Sequence, residues 1–158
     1  MNTPRNLAYA VAIAAVLLNL ALEHFLLGAR PAEGVLIPGL LNLRYAGNQG
    51  ISFSLFWQNN ATGMRFLSAI LLVITLFIAV WAWRARNNML ACGFGLVLGG
   101  AVGNLLDRQF YGAVLDFLAV HIGGLPLFVC NLSDIYISAG VLVLVAEELM
   151  PALRRDRL

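Results

Sequence analysis

There is no lysine anywhere in the 158 residues, and charged side chains of every kind make up only 11% of them. Arginine alone carries the positive charge, and the net charge is only +2. The basic residues lie near the ends of apolar runs, so they form no patch for nucleic acid. Two cysteines, Cys92 and Cys130, are too few and too badly placed in depth for a disulfide framework, and both read as packing residues. The two histidines, His24 and His121, have no second histidine or cysteine at ligand spacing. A zinc site is therefore not expected, nor is any other metal or cofactor. Linkers, low-complexity stretches and convincing repeats are also missing. What remains is apolar: 61% of the residues are hydrophobic and the mean hydropathy is +0.84, far beyond what a soluble domain of this length needs for a core.

That composition points to an all-α integral membrane protein, a single domain over residues 1–158 with four transmembrane helices and a small β-containing loop region. The spans are expected at about 7–27, 66–83, 89–106 and 133–150, each near the 20 residues a helix needs to cross the hydrocarbon core. The first follows Arg5 as a signal peptide would, but it outlasts a typical signal-peptide core and no clean small-residue cleavage site follows. It reads as a retained anchor. Within it Asn19 and Glu23 are four apart and share a helical face, a polar stripe that should face protein and fix helix packing.

Between the first two spans, Pro31, Gly34, Pro38 and Gly39 break the pattern. Val35 to Ile37 and Leu41 to Tyr45 look like short strands, and Asn48 to Gly50 like a tight turn. Alternation then sets Ile51, Phe53 and Leu55 opposite Ser52 and Ser54, and Phe56 and Trp57 suit a membrane interface. In the third span Gly95, Gly99 and Gly103 recur every four residues and form a groove for a neighbouring backbone. Asn104 and Asp107 share a face beyond it, and with Arg108 they predict a polar cluster at the helix end. The loop from Gln109 to Asn131 carries Asp116 in an irregular segment, ahead of the turn residues Gly123, Gly124 and Pro126.

Four spans would put both termini on one side. Arg5, Arg84, Arg86, Arg154, Arg155 and Arg157 then lie on that side, against Arg30, Arg44, Arg65 and Arg108 on the other. Arginine excess marks the cytoplasmic face, so both structured loops are expected outside.

Asp116 and Asp134 stand beside long apolar runs, where a charge without a partner is expensive. Two carboxylates held close share a proton, so that one activates water while the other protonates, a device suited to amide hydrolysis. The turn-rich stretch between them permits that approach. Taken alone, two loop aspartates fit helix capping and an ion pair at least as well.

GNQGISF (Gly47 to Phe53), GGAVGNLLDR (Gly99 to Arg108), VLDF around Asp116 and NLSD ending at Asp134, in this order among four spans, resemble the motif series of lipoprotein signal peptidase, or signal peptidase II. The likeness covers nearly the whole chain. It implies an aspartyl endopeptidase of the bacterial inner membrane, multi-pass, with both termini cytoplasmic and the active site near the periplasmic face. Its partners would be membrane lipid and prolipoproteins, cut just before a cysteine bearing diacylglycerol, and the enzyme would be a monomer. By resemblance Asp116 and Asp134 match the catalytic aspartates, while Asn48 and Gly50 match the NxG turn. Asn104, Asp107 and Arg108 match a supporting polar cluster, and Asn131 the asparagine before the second aspartate.

Ser133 stands where the family usually has alanine. Family members also carry an aspartate and a lysine four apart in helix one, where this chain has Asn19 and Glu23. That departure suggests a diverged paralogue and keeps open a non-catalytic homologue that binds lipidated peptides or acts as a membrane scaffold. If the enzyme works, reversal of charge at Glu23 calls for a basic partner, Arg44 or Arg30, unless Glu23 reaches water at the interface.

Overall fold

The computed structural model describes residues 3–50 and 61–155. Four long helices and a four-stranded sheet follow in the order α1 (Pro4–Ala29), β1 (Gly34–Ile37), β2 (Leu41–Asn48), α2 (Ala61–Trp83), α3 (Asn88–Tyr111), β3 (Val114–Ile122), β4 (Leu125–Cys130) and α4 (Leu132–Arg155). Three of the helices, α1, α2 and α3, are long and apolar enough to cross a membrane. α4 has comparable length but carries Asp134 in its first turn, and Glu147 and Glu148 near its end. The alternation expected over Ile51 to Leu55, and the interfacial Phe56 and Trp57, fall outside the described residues.

α3 is the central helix, with α1 and α4 packed along it and α2 at its side. Its glycines allow this. A Cβ on Gly95 would lie 2.6 Å from the Ala8 carbonyl oxygen, and one on Gly99 2.6 Å from the Ala15 Cβ, so α1 sits directly on the α3 backbone. The expected groove divides between two neighbours. Gly93 and Gly100 face α4, and Gly103 meets Ser133 of α4 and Asn19 of α1. At one end of the bundle Tyr9 donates a hydrogen bond to the Ala79 carbonyl at 2.9 Å, and the Arg5 guanidinium lies 4.7 Å from the centre of the Trp83 ring. The Asn87 amide donates to Glu147 Oε1 at 2.6 Å, which brings the α2–α3 connection beside the far end of α4.

The four strands form an antiparallel meander in the order β1-β2-β3-β4. Both hairpins are local, which suits short antiparallel connections. Leu43 pairs with Leu118 and Ala46 with Asp116, so β2 spends one more residue than β3 across that interval, a bulge. Asp116 therefore belongs to a nine-residue strand, not to an irregular segment. Turn residues on either side suggested a loop, whereas pairing with β2 on one edge and β4 on the other holds the backbone extended. Phe117 packs with Leu26 and Leu43 in an apolar cluster that Leu22, Leu115 and Leu132 join. Strand alternation then turns Asp116 the other way, towards α4.

α3 continues past Leu106, where its apolar run ends, through Asp107 and Arg108 to Tyr111. Those charged residues are buried against the protein, so hydropathy misplaces the end of the helix. The stop is Gly112, whose φ of +72° is a left-handed cap and whose N–H donates to the Arg108 carbonyl.

Candidate active site

Asp134 is held by the start of α4. The Asn131 side chain is the N-cap: its Oδ1 accepts from the Asp134 N–H at 2.9 Å, satisfying an otherwise orphan donor of the first turn. Ser133, in the same turn, is fully buried beside Gly103. The positive end of the helix dipole lies at the same place.

Asp116 reaches the same point from β3. Its Oδ2 accepts from the Asn48 amide and its Oδ1 from the Asn131 amide, both at 2.9 Å. Asn131 Nδ2 also donates to Asn104 Oδ1 at 3.2 Å, and Asn104 Nδ2 donates to Asp134 Oδ1 at 3.2 Å. Two carboxyl groups are thus joined through two asparagine amides, one at a helix cap and one on α3. Asp116 is 3% and Asp134 9% exposed, low enough for charge on one to act strongly on the other. Burial pushes the Asp116 carboxyl up to about 6, with the charge on Asp134 adding to the rise. The Asn48 and Asn131 amides and the Arg108 guanidinium act in the opposite direction.

Arg108 closes the cluster. Its guanidinium donates to the Asn104 carbonyl at 2.9 Å and to the Gly50 carbonyl, while the Gly50 N–H donates to Asn48 Oδ1 at 2.9 Å. One buried cation therefore fixes both the turn that carries Asn48 and the α3 segment that carries Asn104. Cys130 lies beside the pair, and burial pushes its thiol up to about 11, so it stays neutral and fills space.

Asn48, Gly50, Asn104, Arg108, Asp116, Asn131 and Asp134 thus come together. Asp107 does not join them. Its Oδ2 accepts from the Leu115 N–H at 3.3 Å, and its carboxyl is within hydrogen-bonding reach of Glu23. Glu23 is 2% exposed, with Asn19 Nδ2 donating to its Oε1 at 2.6 Å. The helix-one stripe therefore packs inward as its spacing predicts. Neither partner expected for Glu23 is used: Arg30 and Arg44 are exposed, and so is neighbouring His24. Reach to water is excluded as well. Where α1 packs on α3, Glu23 meets another carboxyl group, that of Asp107.

A sequence model described as signal peptidase (SPase) II matches residues 8–150. The chain belongs to the signal peptidase II family. Among curated relatives, the lipoprotein signal peptidase of Methylocella silvestris is 36% identical over 146 residues, covering 92% of this chain and 85% of that one. That of Methylobacterium sp. (strain 4-46) is 36% identical over 156 residues, covering 97% and 94%. The fold is shared with a bacterial membrane enzyme solved by the in meso method at 2.3 Å resolution. The TM-score is 0.78 at 21% identity, covering 92% of this chain and 88% of the other. Members of signal peptidase II are aspartic proteases, and the buried aspartates joined by shared amides fit that chemistry.

Proposed function

We propose that Asp116 and Asp134 are the catalytic pair of an aspartic endopeptidase that removes signal peptides from prolipoproteins. The observation that carries this is the bridge: Asn131 donates to the Asp116 carboxyl with its Nδ2 and accepts from the Asp134 backbone N–H with its Oδ1, so one side chain positions both residues. Asp134, at the positive end of α4, is the carboxylate that takes a proton from water. Asp116, raised by burial, holds the shared proton and delivers it towards the carbonyl oxygen of the scissile peptide. Asn48, Gly50, Asn104, Arg108 and Asn131 support and orient them. A purely non-catalytic role gives no reason for Asp116 to sit among donors beside a second carboxylate.

The groove between α2 and α3 supports the lipid part of this reading. It has a volume of about 650 Å³, is lined by Leu72, Leu76, Leu98, Val102 and Leu105, and ends at Arg108 and Gln109. Arg108 borders the groove and also holds the pair's supporting residues, so an acyl chain lying there would bring its attached cysteine towards the dyad. Diacylglyceryl-modified precursors are therefore the substrates. Incubation of the purified protein with a diacylated precursor, followed by mass analysis, should show a cut immediately before the lipidated cysteine. A product cut elsewhere, or none, rejects the assignment.

The same reading makes residues 1–158 one monomeric domain of the bacterial inner membrane, with α4 as a fourth span. Both termini are cytoplasmic, and the sheet and dyad lie near the periplasmic face. Support comes from the arginine excess at the end of the bundle where Arg5 meets Trp83. A Leu40→Cys variant, with the native cysteines replaced, should react with an impermeant thiol reagent applied from outside. Labelling from the cytoplasm alone would invert the topology.

A further inference from the structure

Glu23 and Asp107 are acidic side chains buried to 2% and 1% exposure, and the proposed chemistry uses neither. Their carboxyl groups are within hydrogen-bonding reach of each other, yet among the described residues Glu23 Oε2 and Asp107 Oδ1 meet no N–H or hydroxyl donor. An ionised carboxylate only accepts, so contact between two such groups is a hydrogen bond only when one carries a proton. Two buried like charges side by side would otherwise repel with no water to screen them. The nearby guanidinium of Arg108 is turned to the Asn104 and Gly50 carbonyls. The outer oxygens of the two groups have distinct tasks. Glu23 Oε1 accepts from Asn19 one helical turn back, and Asp107 Oδ2 accepts from the backbone N–H of Leu115, the residue before Asp116.

We propose that Glu23 and Asp107 hold one proton between them, forming a carboxyl–carboxylate bond that ties α1 to α3 and positions the strand bearing Asp116. Glu23 is thus a positioning residue for the peptidase. The chain of contacts runs from Asn19 to Glu23 within α1, then across to Asp107 of α3 and on to the Leu115 N–H of β3. The positioning role rests on Asp116 being catalytic, whereas the shared proton does not.

The test therefore has a spectroscopic arm and a kinetic arm. Infrared spectra at pH 8 of Asp116→Asn and of Asp116→Asn with Glu23→Gln are compared in detergent micelles. The carbonyl-stretch band of a buried protonated carboxylic acid should be present in the first and lost in the second. A band that survives Glu23→Gln, or that is missing from both, overturns the shared proton.

In the otherwise native enzyme, Glu23→Gln should keep kcat within about threefold, because its amide can accept from Asn19 and donate to Asp107. Glu23→Ala should lower kcat roughly 10- to 100-fold with KM nearly unchanged, the loss expected when a catalytic group shifts by a fraction of an ångström to an ångström. Equal losses in Gln and Ala, or wild-type kcat in Ala, overturn the positioning role. Should Glu23→Ala fail to fold, a fall in kcat of tenfold or more in Glu23→Gln serves as the refuting result. An active Asp116→Asn enzyme would instead remove the dyad assignment and leave the infrared result standing.

Discussion

The molecule buries two pairs of carboxyl groups against one helical turn of α3 and surrounds them differently. Asp116 is met by two amide N–H donors and Asp134 by a third, that of Asn104. Among the described residues Glu23 and Asp107 have one N–H donor each and otherwise face one another. Donors stabilise a carboxylate in place, so a pair rich in them can give up and recover a proton without moving. A pair short of donors can lower its energy only by keeping the proton. The first arrangement suits proton transfer, and the second suits holding two helices together. Asn104, Asp107 and Arg108, within one turn of α3, serve both.

The largest effect that sharpens this contrast should come from removing proton exchange at the donor-rich pair. Asp116→Asn or Asp134→Asn should lower kcat on a diacylated precursor by about 10⁴-fold or more, with the fold retained. Wild-type turnover in Asp116→Asn would take Asp116 out of catalysis and make Asp107 the next candidate. The Glu23 variants should stay well above that floor. If Glu23→Gln were as inactive as Asp116→Asn, the division between a transferring pair and a holding pair would fail.

A smaller effect concerns stability against pH. The Asp116 carboxyl is raised from 3.8 to about 6 in the folded protein. The folded state therefore binds more protons than the unfolded state between those values, and its stability falls as pH rises through that window. The change should amount to about 3 kcal/mol between pH 3.5 and pH 7. Asn at 116 does not titrate, so the unfolding free energy of Asp116→Asn in mixed micelles should fall less over that range, by about that difference. Parallel pH profiles for the two proteins would show that Asp116 is not held in the way its surroundings dictate.

Much of this was legible along the chain because it is local. Apolar runs of spanning length locate three of the helices, and four-residue glycine spacing locates the backbone contact between α3 and α1. An asparagine three residues before Asp134 announces the cap, since an N-cap acts only on the next turn. The strand carrying Asp116 was missed for the opposite reason. Its extended backbone depends on partners in β2 and β4, and nothing within the segment itself distinguishes it from a loop flanked by turns.

By itself the sequence determined the membrane class, the order of the helices, the candidate dyad with its amide neighbours, and membership of signal peptidase II, because hydropathy, spacing and short motifs are written within a few residues of one another. Only the tertiary structure decided that Asn131 serves both aspartates, that Asp107 does not join them, and that Glu23 meets a carboxyl group and not an arginine. Those outcomes depend on which face of α1 lies on α3 and how deeply. The close approach permitted at Gly95 and Gly99 sets that geometry and puts side chains far apart in the chain within reach of a single proton.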